Sequence, residues 1–402
     1  MLVMLVVLMT VVQAGLIMPG RASAADFSLP GGGTDEDPYL IASGSDLDQI
    51  RMKLDAHYRM FADIDLSAYS NWTPIGTETE PFIGTFDGAG HTITGLSLSI
   101  SQVSVGLFGY VGDGGKLSNF MIQDGIVDGA GEVGIAIGRL YGSVDDVQVI
   151  GGSVSGASRV GGLVGASYTG SSIINSSASA AVQSTNGIAG GLIGYAYGSI
   201  IRDSQATGNT VEGGNPGGTL GGLVGSMDGS SIEGSYSSMN VHAGSGPIIG
   251  GLVGIGNSLS TVSNSFATGN ISAPSSMIVG GFAGAWSGGT VNDVFATGNV
   301  HGDVRVGGLF GSALGGVTIT NSFANGAVIG SSLVGGLVGI TAGGATATGS
   351  YFDEAKAGLS VTALGTALAT NELAHESTFA GWDFESKWVL DDRVGYPELM
   401  AF

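Results

Sequence analysis

The sequence predicts an all-β chain wound into a parallel β-solenoid of about nine rungs, with caps at its N- and C-terminal ends. Three observations lead there. Gly supplies 75 of 402 residues, yet without the strict three-residue period of a collagen. A short apolar motif of the form Val160-Gly161-Gly162-Leu163-Val164-Gly165 recurs nine times, from Val105–Gly109 to Val334–Gly339, its closing glycines 27 to 31 residues apart. A second column keeps phase with it: Tyr236, Phe266, Phe295, Phe323 and Tyr351, each two residues after a turn-former, Gly234, Asn264, Asp293, Asn321 and Gly349. A unit of this length cannot bury both faces of its own strands. Coiled and stacked, each strand pairs with its copies above and below, about 4.8 Å away.

The elements follow in order. Residues 1–24 read as a signal peptide: Met1–Val12 is almost wholly apolar, and Ala22-Ser23-Ala24 forms a small-x-small cleavage site. No Lys or Arg precedes the run, which leaves room for a start further upstream. Residues 25–100 form an N-terminal cap and lead-in. There Ser45 is the expected N-cap of a helix carrying Leu47, Ile50 and Leu54 on one face, and Tyr58–Leu66 alternates as a strand. Residues 101–350 are the repeats, in which Gly serves corners of positive φ or close backbone approaches. Residues 351–402 form the C-terminal cap. Its aromatics Phe379, Trp382, Phe384, Trp388 and Tyr396 suit closure of the open end of the stack.

The residues also carry a family resemblance. The repeated Val/Ile-Gly-Gly-Leu-Val-Gly, followed by Asn264-Ser265-Phe266-Ala267 and its copies, resembles the GLUG motif of secreted and surface bacterial proteins. Pro38–Ile41, Ala62–Leu66, Pro74–Gly76 and Phe82–Gly88 resemble the lead-in of such arrays, and Trp382–Phe384, Trp388 and Gly395–Pro397 their ending. The resemblance implies a surface β-solenoid, adhesin-like or accessory to an IgA-cleaving metallopeptidase. It brings no catalytic residues with it.

Composition narrows the chemistry. Twelve Lys plus Arg against 33 Asp plus Glu, a net charge of −21, make nucleic acid an unsuited partner. The absence of Cys excludes disulfides and thiolate catalysis. His57, His91, His242, His301 and His375 are dispersed, and Phe379 stands where a zincin helix after His375-Glu376 needs its second His. No Gly-x-Ser-x-Gly elbow or phosphate loop occurs. Carboxylates gather in the lead-in (Asp35, Asp37, Asp63, Asp65, Glu78, Glu80, Asp87) and scatter as Asp145, Asp146, Asp203, Asp228 and Asp293 over the rungs. They read as solvated loops and corner turns, with calcium at Asp35–Asp37 or Asp63–Asp65 as the metal alternative. Thr207, Thr268 and Thr297 share a repeat position, but Ser238 and Asn325 break that file, against an ice or lattice-binding face. Tyr110, Tyr141, Tyr168, Tyr195, Tyr197 and Trp286 follow the closing glycines and are the candidate sugar platforms; packing at corners is the other reading.

The expectation is therefore a secreted or extracellular repeat protein, free or associated with the cell surface, with a structural or adhesive role. No catalytic, cofactor-binding or metal-ligating residue is assigned, and no membrane span remains after signal removal. The partner expected is a cell-surface glycan or a host or matrix protein. Two alternatives stand beside it: a polysaccharide-active β-helix enzyme, lyase or glycoside hydrolase, and an accessory fragment of a larger surface protein such as a peptidase.

Overall fold

The computed structural model describes residues 27–213, 218–244, 248–390 and 394–400. The expected signal peptide, 1–24, lies outside them. Each coil visits four walls in a fixed order. The coil that begins at Arg159 shows it: Arg159–Gly161 on the first wall, Val164–Ser167 on the second, Ser172–Ile174 and Ser177–Ala178 on a bent third wall, Ala181–Ser184 on the fourth. The first, second and fourth walls each contain nine strands, and the third is a 19-stranded sheet. Strands in these walls pair parallel and in register, Val133 with Val160 and Val160 with Ala189.

Local sequence sets the corners. Between first and second walls the chain turns within Gly161-Gly162-Leu163. These two glycines do not hold positive φ. They are needed because a Cβ on Gly162 would overlap the carbonyl of Gly191 in the next rung, and one on Gly161 the carbonyl of Val164. The bend of the third wall uses the other mechanism. Asn119, Asp146, Asn175, Asp203, Gly234, Asn264, Asp293, Asn321 and Gly349 stand there in the left-handed region, which Gly, Asn and Asp occupy at low cost. That residue interrupts the alternation of the strand. Ile173 faces inward, and so does Ser176 three residues on.

The interior is apolar and continuous. Val160, Leu163 and Val164 are all fully buried, as are their equivalents in the other rungs except Val334 in the last one, which is half-buried. Two polar files cross it. After the left-handed corner, Ser176, Ser204, Ser235 and Ser265 each donate to the carbonyl two residues back, at 2.7–2.9 Å. Each hydroxyl also accepts a backbone N–H from the previous rung, at 3.1–3.2 Å. Ser199 and Ser230 form part of a second such file. All of these serines are satisfied, so their burial carries no penalty for an unmet polar group.

The ends differ from the simple expectation. Ser43, not Ser45, caps the helix Gly44–Gln49, accepting from the Asp46 amide at 3.2 Å, while Ser45 lies inside the helix. At the far end, residues 361–368 close the last rung. Val361 accepts from the Gly336 amide, and the Thr362 hydroxyl accepts from Leu337 and Val338 at 3.3 and 2.9 Å. The C-terminal aromatics do not lie across that opening. They fold back along the outside of the third wall, where Phe295, Phe323 and Tyr351 already form an apolar file. The reason is complementarity: stacked rings on an outer surface need a cover, and Phe379, Trp382 and Trp388 supply it.

Candidate functional site

The sequence-predicted tyrosines do assemble on one face, over the second wall beside the first. Tyr110 and Tyr141 stack at 5.6 Å, and Tyr141 and Tyr168 at 5.0 Å, with planes within 14°. Tyr195 meets Tyr168 edge-on at 6.3 Å. Two arginines unmarked by the repeat interleave with them. Arg139 lies 5.5 and 5.4 Å from the ring centroids of Tyr110 and Tyr168, and Arg159 lies 4.4 Å from that of Tyr195.

A buried carboxylate holds this cluster. Glu132 is 3% exposed. It accepts from Arg139 Nε at 2.5 Å, from Arg159 Nη1 at 2.7 Å and from the Tyr168 hydroxyl at 2.6 Å. Arg159 Nη1 also donates to the Tyr168 hydroxyl at 2.6 Å. A buried carboxylate with two guanidinium partners is compensated for its lost hydration. Burial, and then the bond to Glu132, push the Tyr168 phenol well above its ordinary range. The same carboxylate raises the Arg139 guanidinium further. Nothing in the motif marks Glu132. The signal available was an acid at a first-wall position directly below Arg159 in register.

This geometry changes what the tyrosines can do. Their faces are turned on one another and on the guanidinium groups, so what they present outward is ring edge and hydroxyl. A stacked sugar needs a free ring face. Tyr197 is 45% exposed and lies at the end of its strand, beside Asp228 in register. Trp286 leaves the candidate set: it is fully buried against Phe310.

The remaining candidates are distributed. His57 lies 2.9 Å from the Thr85 hydroxyl and 3.8 Å from Asp35. His91 lies 3.1 Å from Asp63. His242 and His301 are exposed on the fourth wall, two rungs apart, and His375 sits in the C-terminal segment. Asp63 accepts the Thr92 amide, which together with His91 holds its carboxyl below the usual range; Asp65 is lowered by the Ser67 amide and hydroxyl. Among the described residues no group of three His, Asp or Glu is placed to hold a metal. Asp293 is 1% exposed and serves the C-terminal segment, bonded to Lys387 Nζ at 2.5 Å and Trp388 Nε1 at 3.3 Å.

Comparison with known proteins agrees with the architecture. Residues 156–183 and 185–212 match the GLUG motif, and each match spans one coil. The chain is 39% identical to halomucin of Haloquadratum walsbyi over 159 residues, 37% of this chain and 2% of that protein. It is 35% identical over 141 residues to a candidate Gly-rich membrane protein of Evansella cellulosilytica, 32% of this chain and 16% of that one. The chain thus spans a small part of the curated relatives it matches. Among solved structures, a candidate immunoglobulin A1 protease from Bacteroides ovatus superposes with a TM-score of 0.52 at 19% identity, covering 92% of this chain and 94% of that one. That likeness concerns the fold alone. Among the described residues no helix is long and apolar enough to cross a membrane.

Proposed function

We propose that this GLUG-repeat chain is a non-catalytic structural rod outside the cell that makes adhesive contact with a cell-surface glycan or a host or matrix protein. The observation that carries the reading is the in-register stack of the repeat rungs. Each outward position becomes a file along the axis, with one side chain per rung. Such files offer many weak, evenly spaced contacts on a stiff support, which suits multivalent binding. The names of the matched relatives, a halomucin and a Gly-rich membrane protein, fit a place at the cell surface. The tyrosine–arginine cluster supports the rod, because its groups are consumed by one another.

The test uses residues 25–402. Binding to intact cells and to a glycan panel is expected, with no turnover of any glycan. Because a structural neighbour is named as an immunoglobulin A1 protease, the chain is also incubated with immunoglobulin A. Intact heavy chain is expected, and cleavage would replace the adhesive reading with a peptidase one.

A further inference from the structure

The fourth wall carries an outward surface that the repeat motif does not reveal. Two files run along it. One is Gln183, Glu212, His242, Ser272 and His301, in register from strand to strand and all exposed. The other is Asn240, Asn270 and Asn299, each two residues before a member of the first file; Asn240 opens its strand, while Asn270 and Asn299 stand immediately before theirs, both exposed. The asparagines are fixed. Asn240 Oδ1 accepts the Asn270 amide at 2.9 Å, Asn270 Oδ1 accepts the Asn299 amide at 3.0 Å, and Asn299 Oδ1 accepts the Ala327 amide at 3.1 Å. Each carbonyl is thus committed to the ladder. The planar carboxamide leaves its NH2 as a donor held at one position per rung. Gln183, Glu212, His242, Ser272 and Pro274 help to line an open trough of about 360 Å³.

We propose that this face binds an extended, uncharged β-1,4-linked hexose polymer lying along the solenoid axis. The inference rests on the adhesive reading above and names its ligand and its face. The rung spacing of about 4.8 Å is close to the advance of one hexopyranose along such a chain. Over the three rungs that carry an asparagine, each sugar unit then lies over one fixed amide donor and one polar group, His242, Ser272 or His301, able to give or take a hydrogen bond. Ordering of the asparagines is complete before the ligand arrives, which lowers the entropic cost of binding. Charge sets the class. Glu212 lies in the trough, and the chain's −21 opposes a polyanion. No Phe, Tyr or Trp lies in these two files, so affinity grows by adding rungs, not from one broad stacking platform.

The probe is a ladder of cello-oligosaccharides and chito-oligosaccharides from disaccharide to hexasaccharide, titrated calorimetrically into the whole chain, with oligogalacturonate as charged control. Affinity is expected to rise with length in one of the neutral series, and the control to stay unbound. Asn270→Asp keeps the oxygen that accepts the Asn299 amide and removes the NH2 donor. It should weaken binding roughly 3- to 10-fold, the loss of one hydrogen bond, with thermal unfolding unchanged. His242→Ala should weaken binding similarly. Absence of binding in both neutral series overturns the assignment, as does binding indifferent to both substitutions. If cells are still bound in either case, the adhesive reading survives and only this face is wrong. If cells are not bound either, both fall.

Discussion

At the scale of single residues, two kinds of glycine do different work, and substitution separates them. Gly170 holds φ +89° with nothing within 4 Å of the point where a Cβ would stand, so an alanine there meets only backbone strain. Gly162 has an unstrained backbone, but its Cβ would overlap the carbonyl of Gly191. Gly170→Ala is expected to cost about 1–2 kcal/mol. Gly162→Ala should cost more, because it pushes two rungs apart where the N–H of Gly162 bonds that same Gly191 carbonyl at 3.2 Å. Chemical denaturation of both variants checks the order. Tyr168 gives a second residue-scale expectation. Its folded pKa lies above its unfolded value near 10.0, chiefly through burial. The phenol therefore stays protonated in the fold while the unfolded chain ionises. Its contribution to stability is complete below the unfolded value and declines as pH rises beyond it. Burial raises Tyr58 as well, so ultraviolet titration should show late-ionising phenols whose number falls by one in Tyr168→Phe, and that variant should lose less stability than the parent between neutral and strongly alkaline pH.

At the scale of elements, the C-terminal segment is the piece whose attachment is concentrated in few contacts. Asp293 sits at the left-handed corner of its rung, as the turn-former column predicts, yet it is also the anchor for Lys387 and Trp388. Lys387 is 36% exposed, so removing its partner leaves a charge that water can reach. Asp293→Gly keeps the left-handed corner, as Gly234 and Gly349 do in the same column, and removes only the carboxylate; it is therefore expected to cost roughly 1–2 kcal/mol, felt mainly by the segment. Trypsin should then cut after Lys387 in protein whose walls remain folded, and Trp388 fluorescence should shift to the red. Equal resistance of parent and variant would place the anchor elsewhere. This element also shows what the sequence could reveal. The aromatic column Phe266, Phe295, Phe323 was legible because it keeps the repeat's phase. That the tail's own aromatics cover this column, and not the open end, was not legible, since the tail is non-repeating and its target is fixed only by three-dimensional fit. The same limit applies to Glu132. One acid in one rung has no period, and only the register beneath Arg159 gives it meaning. The serine file behind the corner was within reach, because Ser176, Ser204, Ser235 and Ser265 follow the turn-formers directly.

At the scale of the whole molecule, each rung contacts chiefly its two neighbours, so stability is approximately a sum over rungs and rung interfaces. The consequence is that a coil can be removed if the cut respects register. Thr219 pairs with Ile248 and Leu220 with Ile249, so deleting residues 220–248 joins Thr219 to Ile249 at equivalent points of successive coils. The flanking rungs meet in compatible register: Val224 and Val253 share a column, as do Ile232 and Val262. The shortened chain should fold, keep its β circular dichroism and lose about 4.8 Å of length, measurable by small-angle scattering. Deleting 227–254 instead joins Ser226 to Ile255, which share a column, and so leaves one extra residue inside the second-wall strand Val224–Asp228. That slip turns inward residues to the surface, since one residue of shift reverses every side chain of a strand, and the variant should aggregate. If both deletions behaved alike, side-chain columns would not be what holds successive coils in place, and backbone pairing alone would have to explain the stack. The ligand face extends the same argument. The in-register deletion removes Asn240 and His242 and so shortens both polar files by one rung. The longest oligosaccharide that the chain distinguishes should then shorten by one sugar, read from the same calorimetric ladder.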